Sequence, residues 1–200
     1  MALDFDPQQR TLRTPRLLLR PLELGDAPAL QRIYSDPEVT QHYELDTMST
    51  LSQAEEVLHV FLQHHDRFVL IEPASGDIIG TCGLFLWEQQ SRMASFGYDL
   101  ARSHWGHGLM REAAMAVLAY GFAVKELNRV NALVAVGNTR SRRLLSAMGF
   151  REEAILREFS YWKGSFHDMH LFGLLRSDAP TDPLSCIQSP GGARRGRLSG

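Results

Sequence analysis

The stretch Ser95-Phe-Gly-Tyr-Asp-Leu-Ala-Arg-Ser-His-Trp-Gly-His-Gly-Leu-Met-Arg-Glu-Ala-Ala114 decides the fold of this chain. Its first part alternates apolar and small or polar residues, which predicts a half-buried strand through Leu100. From Leu109 the spacing changes, and apolar residues recur on one face of a helix. The stretch therefore predicts a strand, a short loop with two glycines, and a long helix.

The two glycines, Gly106 and Gly108, lie just where this helix begins. A helix start carries about four unpaired N–H groups and a partial positive charge. Glycines there let a phosphate approach those groups, so the loop predicts a pyrophosphate site. A strand-to-helix turn can also need glycine for steric reasons alone. The Rossmann fingerprint would require a third glycine at Arg111, and a P-loop would require Gly-Lys-Ser/Thr, so neither motif is present.

The segment Trp105-Gly-His-Gly-Leu-Met-Arg-Glu-Ala113 resembles the acetyl-CoA loop of the GNAT N-acetyltransferases. It is most similar to the branch of ribosomal-protein N-terminal acetylases, the RimJ/RimL-like enzymes. The resemblance runs from about residue 14 to residue 178. It includes, in order, Thr14-Pro-Arg, Ile79-Gly-Thr-Cys-Gly, Gly97-Tyr-Asp-Leu, Asn138-Thr-Arg-Ser and Gly149-Phe.

The element order read along the chain is β-α-α-β-β-β-α-β-α-β-β. It predicts an α/β fold with antiparallel N-terminal strands and a central parallel pair, flanked by about four helices. The resemblance implies that this parallel pair splays apart to admit the acyl-CoA. Residues 14–178 are expected to form the acetyltransferase domain, 1–13 a flexible arm, and 179–200 a disordered tail rich in proline, glycine and serine.

Composition excludes several other classes of protein. The chain has 200 residues, 44% of them hydrophobic, and a formal charge of −2. A nucleic-acid binder would normally be strongly basic, and no apolar run approaches the roughly 18 residues of a membrane span. The N-terminus lacks the features of a signal peptide, and two cysteines, Cys82 and Cys186, do not make a disulfide scaffold. We expect a cytoplasmic protein, monomeric or homodimeric, with no metal and no nucleic-acid or membrane partner.

The resemblance also implies the residues that would hold acetyl-CoA, the acyl-donor substrate. The strand around Tyr98, Asp99 and Leu100 would pair with the pantetheine arm, and Asn138 would hold that arm. Ser141 would protonate the departing thiolate. The diphosphate would lie on the backbone N–H groups of the loop, and the side chains of His107 and Arg111 would add positive charge. The loop comprises Trp105, Gly106, His107, Gly108, Leu109, Met110 and Arg111. By themselves, Asn138 and Ser141 could equally be a helix cap and a first-turn residue.

The general base is harder to place. Many GNAT enzymes carry a glutamate early in the strand before the loop, but the matching position here is Ser95. The ribosomal-protein branch can instead use a glutamate after the Gly-Phe element, and the matching position in this chain is Ser160. The nearest carboxylate to that position is Glu158, and Glu44 in a polar loop is the second candidate. Either glutamate could simply be a surface charge.

The pKa of the acceptor helps to choose its class. At pH 7, keeping an amine neutral costs about 1.4 kcal/mol for an α-amine and about 4.6 kcal/mol for a lysine. A site without a strong base can therefore acetylate an α-amine through water. The sequence predicts direct acetyl transfer to a primary amine, most simply a protein or peptide N-terminus. A small-molecule amine as acceptor and a non-catalytic acyl-CoA-binding module are the alternatives.

Overall fold

The computed structural model describes residues 4–8, 10–63 and 66–179. Within them, nine strands form one sheet in the order β1-β2-β3-β4-β5-β6-β7-β9-β8. The strands are β1 Asp4–Asp6, β2 Thr11–Arg13, β3 Leu18–Pro21, β4 Asp66–Ile71, β5 Ile78–Glu88, β6 Met93–Leu100, β7 Arg129–Ala135, β8 Arg151–Trp162 and β9 Ser165–Leu175. The helices are α1 Ala27–Tyr34, α2 Pro37–Thr40, α3 Leu51–Leu62, α4 Leu109–Ala123 and α5 Thr139–Ala147. The predicted α/β class is confirmed, and the helix beyond the expected four is the short α2.

The parallel pair β6–β7 separates along its length. Only three registered pairs join the two strands, from Met93–Arg129 to Ser95–Asn131. Beyond them β6 continues to Leu100 and β7 to Ala135 without pairing to each other. All the other neighbouring strands of the sheet run antiparallel. The sheet therefore opens into a cleft immediately before α4, as the resemblance implied.

The N-terminal segment, expected to be a loose arm, instead adds two strands to the sheet. β1 pairs with β2, and β2 pairs with β3. A buried carboxylate holds the turn between β1 and β2: Asp66 accepts hydrogen bonds from Arg10 at 3.0 Å and from Tyr120 at 2.7 Å. Residues 180–200, most of the predicted tail, lie outside the described residues.

The start of α3 differs from what the sequence pattern alone indicates. Ser52-x-x-Glu55 matches a capping box, but the reciprocal pair in the structure is Thr50 and Gln53. Thr50 has an extended backbone, and its N–H donates to Oε1 of Gln53 at 3.0 Å. The helix begins one residue later, so Ser52 already lies inside the first turn.

Helix α4 is the centre of the main apolar core. Its residues from Leu109 to Phe122 are buried except Arg111, and they share one cluster with residues of β4–β7 and α5. A helix that is apolar all round is enclosed on every side. This enclosure fixes the position of its N-terminus against the cleft. No helix among the described residues is long and apolar enough to cross a membrane.

Candidate active site

The loop before α4 presents uncovered backbone amides. Gly106 and Gly108 have φ values of +82° and +76°, a left-handed conformation that side-chain-bearing residues rarely adopt. Gly108 is the N-cap of α4, and no side chain caps the helix. The amides from Gly106 to Arg111 donate to no group in the described chain. This arrangement, with the positive end of α4 behind it, is an anion site.

A buried carboxylate locks this loop to the N-terminal strands. Glu112 is 1% exposed and accepts from the hydroxyl of Thr14 at 2.6 Å and from Nε of Arg16 at 2.7 Å. Arg16 also donates to the carbonyl of His107 at 3.0 Å. The sequence showed Thr14-Pro-Arg16 and Glu112 as separate motifs, and the structure shows that they are two halves of one contact.

The splayed strands and α5 enclose a cavity of about 1070 Å³. We call the part beside the glycine loop the donor end, and the part beside residues 37–48, the acceptor loop, the acceptor end. Of the predicted site residues, the wall includes Glu44, Tyr98, Asp99, Leu100, Trp105, Gly106, Gly108, Leu109, Met110, Arg111, Asn138 and Ser141. The side chains of His107 and Glu158 are not part of it.

Arginines surround the donor end. Arg140 stacks on the ring of Trp105 at 3.8 Å, and the Trp105 indole donates to the carbonyl of Leu100 at 2.8 Å. Arg111 donates to the carbonyl of Ala147, while its buried Nε has no partner among the described residues. The unpartnered Nε and the uncovered amides place positive charge and free donors together on one wall.

Asn138 and Ser141 meet at the start of α5. Oδ1 of Asn138 accepts from the N–H of Ser141 at 3.0 Å, so the capping role is confirmed. The side-chain Nδ2 of Asn138 has no hydrogen-bond partner among the described residues, whereas its backbone N–H donates to the carbonyl of Ala135 at 2.8 Å. Tyr98 lies beside Ser141: burial raises the pKa of Tyr98, and Ser141 partly opposes that increase. The buried Tyr98 hydroxyl makes no hydrogen bond of normal geometry within the described chain, so it is available to a ligand.

The side chain of Asp99 points away from the donor and ties the acceptor loop to the sheet. One of its oxygens, Oδ2, accepts four hydrogen bonds of 2.6–3.1 Å, from Tyr34, Tyr43, Arg67 and Thr81. Burial and then the charge of Asp99 raise the pKa of Tyr43, which therefore remains a neutral donor. The expectation that Asp99 helps to hold the donor thus applies only to its backbone, because its carboxylate is committed to this cluster.

The acceptor loop brings acidic and imidazole groups to the cleft. Glu38 and Glu44 are exposed on its wall and form no salt bridge within the described residues. Burial, followed by the charge of Lys163, lowers the pKa of His42, so this imidazole is neutral at pH 7. Lys163, in the turn between β8 and β9, donates to the carbonyl of Thr40 at 2.7 Å. The sequence pointed to this loop, but not to His42 in particular.

The family model for the GNAT acetyltransferase domain matches residues 16–151. The chain belongs to the GNAT acetyltransferase family. A Bacillus licheniformis N-acetyltransferase called p20 is 38% identical over 173 residues, which are 84% of this chain and 97% of that protein. The Escherichia coli ribosomal protein uS5-alanine N-acetyltransferase is 30% identical over 112 residues, 56% of this chain and 58% of its own.

Solved structures agree with this GNAT assignment. Spermidine N-acetyltransferase from Vibrio cholerae, in complex with CoA and spermine, superposes with a TM-score of 0.72 at 26% identity. The match covers 82% of this chain and 98% of that one. The relatives thus include a ribosomal-protein acetylase, consistent with the predicted branch, and a polyamine acetylase.

The residues of this GNAT cleft fit acetyl-CoA. Its diphosphate needs N–H donors and positive charge, and the amides from Gly106 to Arg111 supply both. The free edge of β6 beyond Ser95 can pair with an amide-bearing arm. Met110, in the first turn of α4, is buried and contributes to the cavity wall. Within the described residues no group of three metal-ligating side chains occurs.

One proposed base is not at the cleft. Glu158 is exposed, and its N–H donates to Oδ1 of Asp168 at 2.8 Å. Its φ of +49° belongs to an irregularity in β8 that carries the carboxylate off the cleft wall. Ser95 and Ser160, the positions that the resemblance matches to catalytic glutamates, do line the cleft.

Proposed function

We propose that this GNAT enzyme transfers the acetyl group of acetyl-CoA directly to the N-terminal α-amine of a protein or peptide. The observation that carries the proposal is the open acceptor end. Val60, Leu86 and Phe159 line the cleft there, yet each is more than half exposed, at 53%, 67% and 54%. A wall this open leaves room for a chain to continue beyond the reacting amine.

The weak base at this site also suits an α-amine. Ser95 and Ser160 provide no carboxylate, and Glu38 and Glu44 are both exposed to water. An α-amine needs only about 1.4 kcal/mol to be neutral at pH 7, about 3 kcal/mol less than a lysine side chain. We assign the removal of its proton to Glu44 or the neutral His42, directly or through water.

Ser141 is the proposed proton donor. As the amine nitrogen bonds to the thioester carbon, the carbon–sulfur bond breaks and the sulfur takes a proton from the Ser141 hydroxyl. The neighbouring Tyr98 hydroxyl has no other partner in the described chain. It can therefore donate a hydrogen bond to Ser141 as that proton leaves. Ser141 then regains a proton, through water, from the group that took the proton of the amine. Backbone N–H groups of the free β6 edge would stabilise the carbonyl oxygen.

Direct transfer is favoured over a covalent enzyme intermediate. Cys82 is fully buried, and burial raises its pKa well above the ordinary value. A thiol without access or thiolate character is not a nucleophile. Cys186 lies outside the described residues.

A small polyamine is the second candidate acceptor. Glu38 and Glu44 place two carboxylates at the acceptor end that form no salt bridge within the described residues, and a polycation complements them. The relative whose structure contains spermine uses such an acceptor. An open wall of apolar side chains offers a polyamine little, which is why the peptide is preferred.

The test is thiol release from acetyl-CoA with three acceptors: an N-terminal peptide, the same peptide with a blocked N-terminus and one internal lysine, and spermidine. We expect turnover with the free N-terminus alone. The Ser141→Ala variant should lose about 100-fold in kcat with unchanged CoA affinity, whereas Ser146→Ala on the same helix should not. Turnover only with the lysine or spermidine would contradict the proposed acceptor.

A further inference from the structure

Strand β5 contains an irregularity at the acceptor end. Between two successive registered pairs, β5 advances from Phe85 to Glu88 while β6 advances only from Ser95 to Met93. Leu86 occupies the additional position with a φ of +51°. A left-handed conformation is unfavourable for a leucine and persists only where its surroundings enforce it.

Strand β8 contains a second one on the other side of the cleft. There β8 advances from Leu156 to Ser160 while β9 advances from Met169 to His167. Glu158 has a φ of +49°, and Asp168 fixes this conformation by accepting its N–H. Bulges redirect the side chains next to them and are common beside active sites. Here the redirected neighbour is Phe159.

Both irregularities place one large apolar side chain on the cleft wall. Leu86 is 67% exposed and Phe159 is 54% exposed, and both line the cavity. Other exposed apolar residues of the same strands, Trp87 on β5 and Ile155 and Tyr161 on β8, do not line it. Within β5 and β8, the exposed apolar residues that line the cavity both lie in an irregularity, whereas Trp87, which shares the β5 irregularity, faces elsewhere. Large exposed apolar side chains at a cleft mark a surface that a partner covers.

The charged residues at the acceptor end indicate which chemical class of acceptor can bind there. Glu38 and Glu44 attract a cationic group, while Leu86 and Phe159 accept an apolar one. The N-terminal residue of a peptide carries both on adjacent atoms, an ammonium group and, on the next carbon, its side chain. A polyamine has no such branch, and a small polar amino acid has no apolar group to bury.

We propose that Leu86 and Phe159 determine acceptor specificity by binding a large apolar side chain on the first residue of the acceptor peptide. The inference rests on the proposed function, because only an acceptor with an N-terminal α-amine has a first residue whose side chain could be selected. Once the amine reaches the splay between β6 and β7, its own side chain is the group nearest the mouth. Leu86 and Phe159 contact that side chain and bury it from water.

The experiment compares peptides that differ only at the first residue, leucine against serine, in the thiol-release assay. An apolar site that binds a leucine side chain typically discriminates against a residue lacking those carbons by about 10-fold or more in kcat/KM. We expect the wild-type enzyme to prefer leucine by about that factor. Phe159→Ala and Leu86→Ala should each reduce the preference several-fold by raising KM for the leucine peptide, with CoA affinity unchanged. Tyr161→Ala, at an exposed aromatic residue of the same strand, is the matched control and should keep the wild-type preference.

The outcomes separate the two proposals. If free N-termini are acetylated with equal efficiency for leucine and serine, the specificity inference is wrong and the proposed function stands. Retention of the full leucine preference by Phe159→Ala and Leu86→Ala would also overturn the inference. If no peptide is acetylated and spermidine is, the proposed function fails and the inference fails with it.

Discussion

The donor end and the acceptor end of the cleft are built in different ways. The donor end is made of backbone amides from one continuous segment, Gly106 to Arg111, at the start of one helix. The acceptor end combines side chains from α3, β5, the acceptor loop and the β8–β9 hairpin. Each end nevertheless depends on one buried carboxylate paired with an arginine, Glu112 with Arg16 and Asp99 with Arg67.

This difference suggests that the two ends can be damaged separately. We call the Glu112–Arg16 pair the donor lock and the Asp99–Arg67 pair the acceptor lock. A change at the donor lock should weaken CoA binding, and a change at the acceptor lock should raise KM for the amine. The family can therefore keep one donor site while acceptor sites vary. The following variants test that separation, from the largest expected effect to the smallest, with Tyr43→Phe placed beside Asp99→Asn because both change the same buried cluster.

Asp99→Asn should have the largest effect. Both partners of the ion pair are almost fully buried, with side-chain exposures of 4% for Arg67 and 2% for Asp99. Leaving the guanidinium without its carboxylate should lower the free energy of unfolding by about 3–5 kcal/mol, measured by urea denaturation. A loss below about 1 kcal/mol would show that the pair does not hold the acceptor end.

Tyr43→Phe separates this lock from global stability. It removes the acceptor loop's hydrogen bond to Asp99 and the contact of the same hydroxyl with Arg67, while the Arg67–Asp99 ion pair stays in place. We expect KM for the amine to rise several-fold with unchanged CoA affinity, while Tyr161→Phe at an exposed position changes neither. If Tyr43→Phe weakened CoA binding by the same factor as it raised KM for the amine, the two ends of the cleft would be coupled.

Arg16→Ala should unlock the donor end. It leaves the buried Glu112 without its cation. Because Arg16 is half exposed, we expect the free energy of unfolding to fall by about 3 kcal/mol, the lower limit for breaking a buried ion pair. The contact to the His107 carbonyl is lost as well, so calorimetry should show weaker CoA binding. Arg13→Ala, an exposed neighbour, is the control and should stay within about 0.5 kcal/mol of the wild type. Unchanged CoA affinity in Arg16→Ala would contradict the lock.

Gly108→Ala should weaken CoA binding by about 10-fold, because a left-handed alanine costs about 1–2 kcal/mol. Gly76, in the β4–β5 turn, has the same φ of +76° and lies away from the cleft. Gly76→Ala should therefore lose comparable stability and keep its CoA affinity. Calorimetry and thermal denaturation on both variants distinguish strain from ligand contact. Identical CoA affinities in the two variants would remove the loop from the donor site.

The smallest effect concerns pH. The neutral form of His42 accepts a proton, and its lowered pKa keeps it neutral until the pH falls below its ordinary value near 6.5. The rate falls with pH below about 8 as the α-amine itself becomes protonated, and protonation of His42 should add a further decline of a few-fold in acid, which His42→Gln should remove. His59→Gln, on the exposed side of α3, is the control. An unchanged acid limb in His42→Gln would leave Glu44 or water as the acceptor.

The donor end could be predicted because its determinants are local. The glycines with the change of period at Leu109, and separately the cap at Asn138, are each visible within a few residues of sequence, and the structure begins a helix at both places. The lock through Glu112 was not predictable, since its partners lie almost a hundred positions away along the chain.

The acceptor end could not be predicted for a related reason. On a regular strand, Glu158 and Ser160 would face the same side, which made Glu158 a reasonable candidate for the base. The irregularity in β8 breaks that alternation and presents Phe159 instead. Bulges of this kind depend on contacts with the partner strand, here through Asp168, and leave no periodic signal in the sequence.

The bond from Lys163 to the Thr40 carbonyl restricts how this scaffold can vary. Exposed hairpin tips usually tolerate insertions and deletions freely. Here the tip must end where a single ammonium group can reach across to another wall of the active site. Lengthening the tip at Lys163–Gly164 would carry that group out of range, so an otherwise permissive turn has its length set by the width of the opening that it spans.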